Sequence, residues 1–169
     1  MSRKSTSWID FVPVTLASIL FISQIILGIY LLPEVVQIKI LAYFGVGLYV
    51  FSGLVFGWLP VIEFRKKGSV KRGKSYIYTT KLVDTGIYSV VRHPQYVTFM
   101  LFAIAGIFLF QHWIIILLAM PIFPLTYLDL IKADKDTIEK FGDDYRAYMK
   151  KVPRANFLLS LIRLLRRNE

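Results

Sequence analysis

The sequence predicts an all-α integral membrane protein with four transmembrane helices and both termini in the cytoplasm. Three observations predict it. Several charge-free runs are long enough to cross a bilayer. The composition is too apolar for a soluble domain of this length. The basic residues fall on alternate connections. The chain of 169 residues is 56% hydrophobic and 19% charged, with a mean hydropathy of +0.55, so as a soluble domain it would leave much apolar surface in water. It contains no cysteine, which excludes disulfides, thiolate chemistry and cysteine-based metal sites. The formal charge of +10 lies beside the apolar runs. Attraction to anionic lipid explains it more simply than nucleic acid.

The first run, 11–32, holds 22 uncharged residues and ends at Pro33-Glu34. It exceeds a signal-peptide core and lacks a small-residue cleavage site after it, so it reads as a retained span. The second, 40–62, lies between Lys39 and Glu63. Gly45, Gly47, Gly53 and Gly57 in it suit close helix packing rather than a nucleotide loop, since no strand precedes them. The third run, Pro94 to Leu128, is too long for one span and short for two. Gln111-His112-Trp113 near its middle suits a tight turn at the interface. It therefore reads as a hairpin of two spans, 95–110 and 113–131. Pro121 and Pro124 are expected to bend the fourth span.

Orientation follows from the cations. Arg3 and Lys4 precede the first span, eight Lys/Arg lie between 65 and 92, and ten lie from Lys132 onward. The two opposite connections hold only Lys39. This bias places both ends and the middle loop in the cytoplasm. The chain is expected to form a single membrane domain, with a cytoplasmic loop at 65–94 and a cytoplasmic segment at 132–169.

Functional chemistry belongs where irregular backbone meets water. In the loop, Tyr88 leads to Arg92-His93-Pro94-Gln95-Tyr96, directly before the third span. Pro94 suits the first turn of a helix. The helix start, Arg92 and His93 offer donors for a carboxylate or phosphate, while Tyr88 and Tyr96 offer π faces for adenine or a sulfonium cation. The plainer reading gives Arg92 and His93 to lipid phosphates and makes the tyrosines interfacial anchors. In the tail, 132–140 has helical composition and Gly142 is expected to end or kink that helix. Tyr145 and Tyr148 share a helical face beyond it. For Asp134, Asp136 and Glu139 the plainer reading is the charged outer face of a surface helix. Residues 157–167 alternate leucine with arginine and look like an interfacial amphipathic helix held by anionic lipid.

Gly86-x-Tyr88-x3-Arg92-His93-Pro94-x-Tyr96, followed by Phe141-Gly142-x2-Tyr145-x2-Tyr148-x3-Val152-Pro153, resembles the membrane methyltransferases typified by isoprenylcysteine carboxyl methyltransferase. Phospholipid N-methyltransferases are relatives of these enzymes. The resemblance covers about residues 80–155. It implies methyl transfer from S-adenosyl-L-methionine to a lipophilic acceptor that enters from the bilayer, with the cofactor on the cytoplasmic side. It also implies that Leu82, Val83, Tyr88, His93, Pro94, Gln95 and Tyr96 surround the cofactor. Arg92 and His93 are expected to hold its carboxylate.

Some positions depart from the family pattern. Thr98 stands where the family commonly has glycine. Where it has paired glutamates this chain has Ala133-Asp134, and Asp129 falls where it has arginine. Asp134 is the acid retained there and is grouped with the cofactor residues. Lys132 supplies the arginine's charge without its planar fork. Asp129, Lys132, Tyr145 and Tyr148 are grouped on the acceptor side. Asp129 reads equally as a functional acid or as a residue at the span's end. Two other readings stand beside methyl transfer: an NADPH-dependent sterol or enone reductase, which carries a similar Arg-His-Pro-x-Tyr segment, and a non-catalytic scaffold of the same fold.

Overall fold

A computed structural model describes residues 11–69 and 79–155. Arg3, Lys4, Lys71, Arg72, Lys74 and the helix expected over 157–167 lie outside the described residues. Within them every regular element is helical. Helix α1 (Val12–Leu31) begins with Pro13 in its first turn and runs into a 3-10 turn, Leu32–Glu34, around Pro33. Helix α2 covers Lys39–Lys67, with a π-helical stretch at Gly53–Trp58. A 3-10 turn (Gly86–Ser89) leads to α3 (Pro94–Phe110), α4 (Trp113–Phe141) and α5 (Asp143–Lys151).

The segments Val12–Glu34, Lys39–Lys67 and Trp113–Phe141 are long and apolar enough to cross a membrane. Pro94–Phe110 is apolar but shorter, at 17 residues. Large side chains such as Ile26, Ile29, Tyr43 and Met120 are exposed on these helices. In lipid such exposure carries no hydrophobic cost, whereas in water it would.

Two helices continue beyond their apolar spans. Helix α2 runs past Ile62 to Lys67, so Arg65 to Lys67 are helical rather than part of the loop. Lys and Arg are good helix formers, and Lys67 pairs with Glu63 at 2.7 Å one turn back. The backbone N–H of Gly68 then caps the end on the Phe64 carbonyl at 2.9 Å. Helix α4 joins the fourth span to the helix expected over 132–140, ends at Phe141 just before Gly142, and continues through Pro121 and Pro124. The polar stretch from Lys132 onward holds no glycine or proline before Gly142, so nothing interrupts the helix earlier.

By contacts the described chain falls into two units. The first comprises 11–48 and 100–131. There the fully buried Gln24 donates from Nε2 to the Ala103 carbonyl at 2.9 Å. Gly106 makes room for it: a Cβ there would stand 3.0 Å from that nitrogen. The turn after α3 is Gln111-His112. Gln111 adopts a left-handed φ of 52° and exchanges two side-chain hydrogen bonds with the backbone of Ile38. His112 Nδ1 accepts from the Ile114 N–H at 3.2 Å and caps α4.

Of the glycines expected to pack, Gly45 does so. A Cβ there would lie 2.8 Å from the Leu109 nitrogen and 2.9 Å from the Ala105 oxygen, whereas one at Gly47 would meet nothing within 4 Å. The obstacles at Gly45 are backbone atoms, which cannot swing aside. Gly45→Ala is expected to cost about 1–3 kcal/mol by overpacking, and Gly47→Ala no comparable amount. Unfolding the two variants in lipid checks this.

The second unit comprises 49–69, 79–99 and 132–155, and it holds the candidate site. Phe64 near the end of α2 packs on Tyr88 with centroids 4.6 Å apart. Thr98 Oγ1 lies 3.4 Å from the Ser52 carbonyl and 3.3 Å from that of Pro94. The hydroxyl is thereby satisfied within the protein.

Candidate functional site

The site is built where the approach to α3 meets the segment following α4. Gly86 opens the approach with a φ of +63°, and a Cβ on it would meet the Glu63 carboxyl carbon at 2.7 Å. Glycine takes both the left-handed backbone and the close contact without penalty. The 3-10 turn after it places Tyr88 inside, 3% exposed. Pro94 then starts α3, where its missing N–H costs nothing.

The N–H groups of Arg92 and His93 are not left open for a ligand. They donate to the carbonyls of Pro153 and Arg154 at 3.1 and 3.2 Å. Helix α5 ends just before them because Pro153 disfavours helix at Val152, which is extended. The Tyr148 hydroxyl adds a bond to the Tyr88 carbonyl at 2.5 Å. Loop and tail are thus joined by three hydrogen bonds that use backbone acceptors.

Asp134 is the centre of the polar network. It stands beyond the apolar part of α4 and is 2% exposed. Its Oδ1 accepts from Arg92 Nη1 at 3.0 Å, His93 Nε2 at 2.7 Å and the Tyr145 hydroxyl at 2.6 Å. Its Oδ2 accepts from Arg154 Nε at 2.6 Å. Burial alone would push this carboxyl up. The hydrogen bonds from His93, Tyr145 and Arg154 outweigh burial and hold it well below the usual carboxylate range. Burial, then the bond to Asp134, pushes the Tyr145 phenol above its ordinary value. Burial is also the main cause of the upward shift of Tyr148. Both tyrosines are therefore neutral donors at physiological pH.

In front of this network lies a cavity of about 230 Å³. Phe64, Tyr88, Tyr96, Phe141, Tyr145 and Tyr148 supply aromatic walls; Lys81, Arg92 and Lys140 supply the cations, His93 supplies an imidazole, and among the described residues no carboxylate lines it. The Arg92 Nε is buried without a hydrogen-bond partner among the described residues. Aromatic faces suit a flat heterocycle and a sulfonium, and the unsatisfied guanidinium nitrogen suits an anionic oxygen. On these observations the lining fits S-adenosylmethionine.

Leu82, Val83, Tyr88, Arg92, His93, Pro94, Gln95 and Tyr96 all line the cavity, as do Tyr145 and Tyr148. Three of the residues singled out do not. Asp134 lies behind the wall and touches the lining only through its partners. Asp129, buried in the other unit, and Lys132 are both absent from the lining.

The carboxylate that meets Arg92 Nη1 and His93 Nε2 is the chain's own Asp134, where the sequence reading gave both side chains to the cofactor. Asp134 separates from its neighbours by burial: Asp136 and Glu139 are exposed and form the solvated face expected of them. Arg154 and Phe64 were not singled out. Arg154 carries no sequence signal beyond a cation after Pro153, and Phe64 reads as one more apolar residue beyond a span.

Two comparisons with known proteins bear on this segment. Residues 74–138 match the isoprenylcysteine carboxyl methyltransferase (ICMT) family. The protein-S-isoprenylcysteine O-methyltransferase of Schizosaccharomyces pombe is 34% identical over 84 residues. That alignment covers 49% of this chain and 34% of the relative, so the chain spans about a third of the length of that relative. No solved structure matches. Both comparisons support the resemblance read from the Arg92-His93-Pro94-x-Tyr96 segment.

Proposed function

We propose that this chain, similar through its middle to membrane carboxyl methyltransferases, transfers a methyl group from S-adenosylmethionine to a lipophilic acceptor at the cytoplasmic membrane face. The acceptor class is a prenylcysteine-like carboxylate or a lipid amine. The aromatic cavity at the start of α3, lined in part by a segment similar to that family, is the observation that carries the reading. Four spans with both ends cytoplasmic complete it. The distribution of Lys and Arg supports that topology, and 17 helical residues in α3 correspond to about 25 Å, near the lower limit for a span. The acceptor enters from the bilayer, and anionic lipid accompanies the basic segments.

When bound, S-adenosylmethionine supplies a methyl group already activated for displacement. The protein's part is alignment and exclusion of water. Tyr88 and Tyr96 offer faces to the flat and cationic groups, and Arg92 Nε offers a donor to a carboxylate. Asp134 and Arg154 fix the loop and the tail so that these groups hold their positions.

The test is ligand stabilisation in lipid nanodiscs. S-adenosylmethionine and S-adenosylhomocysteine are expected to raise the unfolding temperature, and NADPH is not. Tyr88→Ala should weaken binding of both adenosyl ligands about tenfold or more, since stacking on one aromatic face is worth ~1–3 kcal/mol. Stabilisation by NADPH alone would overturn methyl transfer in favour of reduction.

A further inference from the structure

We propose that His93 is a proton acceptor of this site, oriented by Asp134, so that the site takes acceptors that must lose a proton before methylation, a primary amine above all. The inference rests on the methyl-transfer reading and adds a residue role to it. Nε2 of His93 is 2.7 Å from Asp134 Oδ1. In the neutral imidazole an Nε2–H donated to a carboxylate leaves the lone pair on Nδ1. Nδ1 has no hydrogen-bond partner among the described residues, and it is absent from the buried atoms that lack one. The ring itself lines the cavity, so the lone pair is open to that space.

The surroundings hold the ring in place. Asp134 Oδ2 is fixed by Arg154, and Oδ1 is shared with Arg92 and the Tyr145 hydroxyl. The Tyr145 hydroxyl also lies 3.3 Å from His93 Nε2, and Tyr96 meets the ring edge-on at 5.8 Å. A carboxylate orienting a histidine from behind fixes the tautomer and prepares the other nitrogen for proton transfer.

The other titratable groups nearby suit the task less well. Burial keeps both tyrosine phenols protonated, Asp134 is engaged by four donors, and among the described residues no carboxylate lines the cavity. An alkylammonium arrives protonated, with a value near the ~10.4 of lysine. Its proton passes to His93 Nδ1, and the freed nitrogen lone pair bonds to the methyl carbon. The carbon–sulfur bond breaks with its electron pair remaining on sulfur, and His93 then releases the proton to water. A carboxylate acceptor arrives ionised and needs no such step.

The test uses the full chain in nanodiscs and has two readouts. The chain contains two histidines, His93 and His112, so ¹⁵N-histidine NMR with His112→Gln for assignment isolates the ring in question. In the wild type at alkaline pH, His93 is expected with a protonated Nε2 and an unprotonated Nδ1; the opposite tautomer overturns the proposal without reference to activity.

The second readout is S-adenosylhomocysteine formation with farnesylamine and with N-acetyl-S-farnesylcysteine, which present an amine and a carboxylate on the same isoprenoid. His93→Ala should lower turnover of the amine at least tenfold more than that of the carboxylate, within the ~10²–10⁴-fold range of general-base removal, and added imidazole should restore part of the amine rate. Equal losses on both acceptors, or a wild type that methylates only the carboxylate, overturn the role of His93 and leave methyl transfer standing. A wild type that neither binds S-adenosylmethionine nor turns over either acceptor overturns both.

Discussion

Asp134→Ala is expected to destabilise the protein by about 3–5 kcal/mol, the cost of removing one partner from a buried ion pair. Arg92 and His93 are nearly buried, with side chains 7% and 11% exposed. The variant removes the one carboxylate that serves both and leaves the Tyr145 hydroxyl without its closest acceptor. Asp134→Asn keeps the shape and loses the charge, so it should fall between wild type and alanine. Unfolding in lipid, monitored by near-UV circular dichroism, checks both.

The same carboxyl predicts a dependence on pH. Its folded-state value lies below that of the unfolded chain, so its contribution is complete above the unfolded value of about 3.9. The contribution is lost as pH falls toward the folded value. The acid limb of the stability profile should flatten in Asp134→Asn. An unchanged limb would mean that other carboxylates dominate acid unfolding.

Gly142→Val is the second large effect. Gly142 separates α4 from α5 with φ 58° and ψ −128°, a combination that favours glycine because it has no Cβ. Forcing a β-branched residue into it costs about 1–3 kcal/mol. No atom stands within 4 Å of a Cβ built there, so the penalty is one of backbone conformation. The damage should also be directional. Relief of the strain rotates α5, which carries Tyr145 to Asp134 and Tyr148 to the Tyr88 carbonyl. Affinity for S-adenosylhomocysteine is therefore expected to fall along with stability, and Gly142→Ala should show a smaller version of both. A stability loss with unaltered ligand affinity would show that α5 keeps its position by other means.

Much of this architecture was legible from residue order. Spans are written in one dimension, because a helix in lipid must be apolar along its length and satisfy its hydrogen bonds internally. Local stops are equally legible: Pro33, Pro94 and Gly142 act through their own backbone, and each marks an element boundary in the structure. The end of α2, and the continuity of α4 beyond its apolar span, were less so. Hydropathy marks where apolar residues stop, while the helices continue through charged residues that hydrogen-bond and pair just as well.

Residue order alone marks an apolar helical protein and singles out the polar segments around Arg92-His93-Pro94 and Tyr145. The family resemblance singled out Asp134; what that acid meets became visible in three dimensions. By composition and helical position Asp134, Asp136 and Glu139 look alike, yet Asp134 alone of the three is buried. There it collects Arg92, His93, Tyr145 and Arg154 from as far as 42 positions away. Hydrogen bonding depends on distance and burial in three dimensions, and spacing along the chain carries no record of either.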